Sequence, residues 1–322
     1  MMKGKSMAAI LLVTALGLTA CGGQGTGAAA SQEAAQEAQT GEAGGEQSEE
    51  ADGDELTGTD APEASKPEEG TQLDPGFSVE SGSIPEITIE AKQIPDKECF
   101  RFVKDMKTGW NLGNTLDAYS QGKMYGDDIS SEEIWGNPVT TKEMIDTLKN
   151  TGFRTVRIPV TWHNHVTDDG NGPVISEAWL DRVQEVVDYA YDNGMYVILN
   201  THHDNTANIE GEGGYYPDTA HAEESDRYIR GIWTQVAERF KDYDEHLIFE
   251  SLNEPRLAGT DYEWNFNAGV AECKDAAGSI NRLNQLFVDT VRATGGNNVE
   301  RYLMMPGYDA SLAGAITDLY QL

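Results

Sequence analysis

Basic residues are scarce in this chain, cysteine is scarcer still, and no apolar run is long enough to cross a bilayer. Lys and Arg total 23 against 55 Asp and Glu, giving a formal net charge of −32. So acidic a chain repels phosphate backbones and anionic headgroups. That excludes nucleic acid as the expected partner and is compatible with a neutral polymer such as a polysaccharide. Three cysteines without a C-x-x-C pair exclude a disulfide scaffold and a zinc ribbon. Cys99 and Cys273 are read as two separate thiols in preference to one long-range bridge. No G-x-G-x-x-G follows the first strand-like run, so no dinucleotide is expected, and no other cofactor is indicated.

What is present begins with a leader. Lys3 and Lys5 precede a mostly apolar stretch from Met7 to Ala20, and Leu18-Thr19-Ala20-Cys21 closes it. A spanning helix needs about 20 apolar residues, so this is a secretion signal. The ending resembles a bacterial lipobox, which implies cleavage before Cys21 and lipidation of its thiol, with an ordinary cleaved signal as the alternative. Residues 1–21 are therefore assigned as a lipoprotein signal peptide. Residues 22–83 read as an acidic disordered tether: Gly22 to Pro75 carries fourteen acids against Lys66 and almost no residue able to support a core. The expected location is the extracellular face, held to the membrane only through Cys21.

Residues 84–322 have a different texture, in which short apolar runs alternate with segments of helical period. Strands are expected at Thr108–Leu112, Thr155–Val160, Tyr196–Asn200, Leu247–Ser251 and Tyr302–Met305. Helices fill the intervals, one from Thr140 or Thr141 to Gly152 and one from Ser176 to Gly194. Strands separated by helices run parallel, and strands this apolar are buried on both faces. A doubly wound sheet and a closed barrel share that pattern. Polar residues gathered at several strand ends favour the barrel, because barrel chemistry collects at the C-terminal ends of the strands.

Four groups of residues could carry chemistry there. Glu254, in SLNEPR, is held out of regular helix by Pro255 and can serve as the general acid of a glycosidase, or cap the next helix beside Arg256. Asn253 can grip a sugar hydroxyl or simply form a turn. Arg157 inside TVRIPV must meet a buried carboxylate, catalytic or structural. His202 and His203 close one strand, and His163 and His165 follow another; hydrogen bonding to carboxylates and substrate hydroxyls accounts for them, a zinc site being the alternative, so no metal is assigned. Trp110, Trp135, Trp162, Trp264, Tyr215 and Tyr216 lie in or beside the same loops, where flat rings suit pyranose faces or packing alike. Trp179 and Trp233 sit within helices and are read as structural.

From about Cys99 to Ser311 the chain resembles glycoside hydrolase family 5, closest to its endoglucanase branch, through GWNLGNT, TVRIPVTWHNHV, YVILNTHHD and IFESLNEPR in order. The resemblance implies a (β/α)₈ TIM barrel and retaining hydrolysis of β-glucan, with endo-β-1,4-glucanase as the expected activity; the alternatives are a non-catalytic glycan-capturing surface lipoprotein and a hydrolase of another β-glycan such as xyloglucan, xylan or mannan. It also implies Glu254 as acid/base, Asn253 as 2-hydroxyl binder, Arg157 as nucleophile-supporting arginine and His202 as the active-site histidine. Asn111, Trp135, Trp162, His163 and His203 are expected to contact substrate. The family's nucleophilic glutamate and its later His-x-Tyr pair find no counterpart among these residues. About five βα units of the barrel are therefore expected, in a monomer that is truncated and inactive alone.

Overall fold

The computed structural model describes residues 96–312, so the expected leader, Cys21 and the acidic tether lie outside the described residues. Helix α1 (Glu98–Met106) leads into strand β1 (Gly109–Asn111), then α2 (Lys142–Asn150) and β2 (Thr155–Ile158). A hairpin of β3 (Val166–Asp168) and β4 (Pro173–Ile175) precedes α3 (Glu177–Tyr191) and β5 (Tyr196–Asn200). The order finishes with α4 (Ala222–Arg239), β6 (Leu247–Glu250), α5 (Ala271–Ala293) and β7 (Leu303–Met304).

Local chemistry sets these boundaries. Thr141 and Ser176 cap α2 and α3, each side-chain oxygen accepting a first-turn amide, from Met144 at 3.4 Å and Trp179 at 3.3 Å. The expected strands and these helices stand within a few residues of their predicted limits. Two features are additional. The β3–β4 hairpin is too short and too mixed in pattern to announce itself, and it sits on α4, where Gln235 Nε2 donates to the Pro173 carbonyl at 2.9 Å. Gly231 of α4 makes the seat: a Cβ there would stand 2.6 Å from the Pro173 ring. Helix α1 is the other addition.

All five long-order strands pair in parallel, in the order β1-β2-β5-β6-β7. Each crossover therefore steps in the same direction, and right-handed crossovers that never reverse place every connecting helix on one face. A doubly wound sheet reverses and puts helices on both. Here Ile145 of α2, Val183 of α3, Ile232 of α4 and Phe287 of α5 join one cluster with Val156, Ile158, Val197, Leu199, Leu247 and Phe249. That is the wall of a (β/α)₈ barrel, with β1 and β7 at the two ends of the order among the described residues.

The opposite face of the strands carries Thr155, Arg157, Tyr196, Ile198, Asn200, Ile248 and Glu250 by alternation. Its lower end, at the strand N-termini, is plugged by α1: Phe102 and Met106 pack on Tyr196, Ile198 and Ile248, and Phe102 stacks on Tyr302 with centroids 3.8 Å apart. Thr155 Oγ1 donates to the Met106 carbonyl at 2.7 Å, which ties the helix to β2. Cys99 and Cys273 are both free thiols.

Candidate active site

At the upper end of that face the polar residues of four strands meet. Arg157 of β2 makes a two-pronged contact with Glu250 of β6, Nε to Oε2 at 2.7 Å and Nη2 to Oε1 at 2.9 Å. The same guanidinium donates from Nη2 to Asn253 Oδ1 at 2.8 Å and from Nη1 to Asn111 Oδ1 at 2.9 Å. Burial alone would lower the guanidinium, but the Glu250 carboxylate, by charge and by hydrogen bonding, outweighs it and raises Arg157 above its ordinary range. It stays charged.

One arginine thus orients two carboxamides. With both amide oxygens accepting from Arg157, Asn253 and Asn111 turn their NH₂ groups outward as donors. The carboxylate that Arg157 requires is Glu250, and both of its oxygens are occupied.

His202 sits at the end of β5 and is fixed by its neighbour two residues back. Asn200 Oδ1 accepts the Val160 amide at 3.1 Å, so Asn200 Nδ2 is the end that meets His202 Nδ1, at 3.0 Å. Nδ1 is then the acceptor and the ring proton lies on Nε2. Burial, then the adjacent His203 and Arg157, push His202 down to about 2, so the ring is neutral at any working pH. Asp117 faces both histidines, its Oδ2 at 3.9 Å from His202 Nε2 and 3.7 Å from His203 Nε2. Burial opposes ionisation of Asp117, but hydrogen bonding to His203 and to the Thr115 amide prevails and holds its carboxyl below the usual range.

Asp117, His202 and His203 offer ligand atoms within 4.8 Å of one another, close enough to test as a metal site. The tautomer argues against it. A cation needs the Nε2 lone pair of His202, and Asn200 places the proton there.

Glu254 stands just beyond this floor with its side chain 43% exposed, and Arg256 Nη1 lies 3.5 Å from its Oε2. Trp135 is exposed at the rim, its ring 5.5 Å from His203, with Tyr119 6.0 Å away behind it. The exposed Trp264 lies under the Arg256 guanidinium at 4.2 Å.

Two expected substrate contacts are corrected by burial. Trp162 is 0% exposed and its Nε1 donates to the Asn200 carbonyl at 3.0 Å, inside the helix-facing core. His163 is also 0% exposed, between Asp204 at 3.3 Å and Glu212 at 3.1 Å. Both follow β2 closely enough in sequence to be placed at the mouth, but the loop turns inward: Asp204 Oδ1 accepts the Trp162 and His163 amides at 2.8 and 2.7 Å and pulls the segment down. Tyr215 and Tyr216 are buried as well, whereas Trp179 and Trp233 are structural as expected.

The floor also contains residues that sequence reasoning passed over. Glu250 had a usable signal, because it alternates with Ile248 onto the face that carries Arg157. Asn200 closes an otherwise apolar strand and reads as a strand end. Asp117 and Tyr119 come from a long loop without period, and nothing local marks them.

Residues 116–319 match the family described as Cellulase (glycosyl hydrolase family 5). The chain belongs to glycosyl hydrolase family 5. The family-5 match takes in Asp117, Arg157, His202, His203, Glu250, Asn253 and Glu254, and leaves Asn111 just ahead of it. Endoglucanase A of Ruminococcus albus is 49% identical over 227 residues, 70% of this chain and 57% of that protein. Endoglucanase A of Clostridium longisporum is 47% identical over 232 residues, 71% of this chain and 42% of its own length. Among solved structures, the complex of a Glycoside Hydrolase 5 lichenase mutant from Caldicellulosiruptor sp. F32 and cellotetraose superimposes with a TM-score of 0.68 at 54% identity, covering 74% of this chain and 62% of the lichenase. The chain thus spans about half the length of the curated family-5 relatives it matches.

Proposed function

We propose that the protein is a retaining endo-β-1,4-glucanase acting on β-glucan, with Glu254 as its acid/base. The observation that carries this reading is the floor of oriented donors, Asn253 and Asn111 aligned by Arg157 and His202 aligned by Asn200, laid beside an accessible carboxyl. Such a floor meets sugar oxygens without burying unpaired charge. Trp135, beside His203, and Trp264, beside Arg256, are exposed aromatic rings that suit pyranose faces. The relatives are endoglucanases, and the solved lichenase holds cellotetraose.

In this mechanism Glu254 gives its proton to the glycosidic oxygen as the leaving sugar departs, while a carboxylate attacks the anomeric carbon from the opposite face. Glu254 then removes a proton from the water that releases the covalent intermediate. Asn253, whose amide already points outward, holds the hydroxyl next to the reacting carbon. Glu250 holds Arg157 through both of its oxygens and so keeps the two amides in place.

Replacing Glu254 by Gln removes the proton but keeps the shape. Reducing-sugar release from soluble β-glucan should fall about 1,000-fold, in the range a general acid contributes. Measured in a protein that carries the complete barrel, equal release by Glu254→Gln and its parent would refute the role, and tight glucan binding with no release by either would favour glycan capture instead.

We also propose that the protein is displayed at the cell surface through a lipid on Cys21, supported by the Leu18-Thr19-Ala20-Cys21 ending and the acidic stretch behind it. Metabolic labelling with a fatty acid should mark the protein and fail to mark a Cys21→Ala variant; equal labelling of both would exclude Cys21.

A further inference from the structure

Strands β5 and β6 run side by side as far as Asn200 and Glu250, their last registered pair. Past that pair the ladder ends, yet His202 lies two residues beyond it on one chain segment and Glu254 four residues beyond it on the other. Their relative placement passes to side chains.

Asn205 makes the joint. Its Nδ2 donates to the Arg256 carbonyl at 2.7 Å, and the same carbonyl closes a tight turn by accepting the Ala258 amide at 2.9 Å. A carbonyl only accepts, so the amino end of Asn205 is the end that faces it. Arg256 carries the effect to the acid: its Nη1 donates to the Glu254 carbonyl at 2.9 Å and lies 3.5 Å from Glu254 Oε2, while its Nε donates to Glu263 Oε1 at 3.1 Å. The guanidinium is therefore held on both sides.

Further out, Asn208 Nδ2 at 3.2 Å and the Tyr216 hydroxyl at 3.0 Å both donate to the Ala258 carbonyl. The two asparagines differ in kind. Asn208 is exposed and shares its acceptor with Tyr216, whereas Asn205 is partly buried and stands three residues after His202. Asn205 Oδ1 is buried and meets no donor among the described residues, so this side chain leaves one hydrogen bond unmade while keeping the bond to Arg256. Stability alone gives no reason for that choice, because an unpaired buried acceptor costs at least what one hydrogen bond gains.

We propose that Asn205 is a positioning residue for the acid/base: by fixing the Arg256 carbonyl to the segment that leaves β5, it sets Glu254 against the histidine floor where the departing sugar is protonated. The inference rests on the glycosidase reading of Glu254. Asn205 acts through the backbone of Arg256, and its loss misplaces the acid while leaving the floor of donors intact.

Leaving groups of different demand separate such a fault from general damage. Cello-oligosaccharides release a sugar alcohol, which needs a proton, whereas dinitrophenyl β-cellobioside releases a phenolate stable enough to depart without one. In a protein that carries the complete barrel, Asn205→Ala should lower kcat/KM on cello-oligosaccharides by about 10- to 100-fold, the scale of an ångström misplacement. On the dinitrophenyl substrate kcat/KM should hold within about threefold, since the acid contributes little to that step. Asn208→Ala, the matched control, should leave both substrates within about twofold. Should Asn205→Ala fail to fold, Asn205→Asp keeps the volume, removes the donor and should show the same selective loss.

Equal losses on the two substrates would make Asn205 a structural residue, and no loss on either would make the joint idle; both results overturn the proposal. Glu254→Gln measured in parallel tells the two readings apart. A selective loss in Glu254→Gln without one at Asn205 removes this inference alone, whereas full activity of Glu254→Gln on cello-oligosaccharides removes the acid/base reading and this inference with it.

Discussion

At the lower end of the sheet, Tyr196, Ile198 and Ile248 close against Phe102 and Met106 of α1 in an apolar layer, whereas further along the same strands Arg157, Asn200 and Glu250 hold a polar floor. The two ends differ in what a lost group leaves behind. Removing a side chain from the apolar layer leaves a space that neighbours can partly fill, with a cost that grows with the space. Removing one partner from the polar floor leaves a charge or a donor with nothing to meet, and the remaining groups turn toward new partners. Stability therefore concentrates below and precision above.

The sharpest way to test that division is Glu250→Ala. Arg157 would be left without its carboxylate, free to swing, and both amides would lose their fixed orientation; kcat/KM on β-glucan should fall about 100-fold, the scale of an ångström misplacement in a site. A denaturation midpoint lowered with activity intact would place Glu250 among purely structural groups. Phe102→Ala should do the reverse, lowering unfolding free energy by about 3 kcal/mol in a urea titration while kcat, measured well below the melting temperature, holds within twofold. A large fall in kcat would mean that the lower layer positions the mouth. The smallest effect is expected at the rim: Trp135→Ala should raise KM for cello-oligosaccharides several-fold, about 1 kcal/mol of lost stacking, with kcat little changed. An unchanged KM would remove Trp135 from the binding face.

Much of this division was legible in the sequence. The parallel alternation of elements, the strand limits, and Arg157, His202, Asn253 and Glu254 at successive strand ends follow from period and from the cost of an unpaired arginine. Helix α1 was not, because a single short helix carrying Phe102 and Met106 has no repeat to contrast with, and its purpose is set by strands far along the chain. Trp162 and His163 illustrate the opposite difficulty. A residue just past a strand can rise to the mouth or sink beside the core, and the deciding partner, Asp204, lies about forty positions away.

The direction of the hydrogen bonds at the floor has a further consequence. Asn253, Asn111 and His202 all present protons, so what they recognise on a sugar is an oxygen lone pair and not the hydroxyl hydrogen. An ether oxygen satisfies that demand as well as an alcohol does. Rejection of an O-methylated glucan at this floor would then be a matter of volume alone, and enlarging the space beside these three donors is the change that would admit chemically modified celluloses.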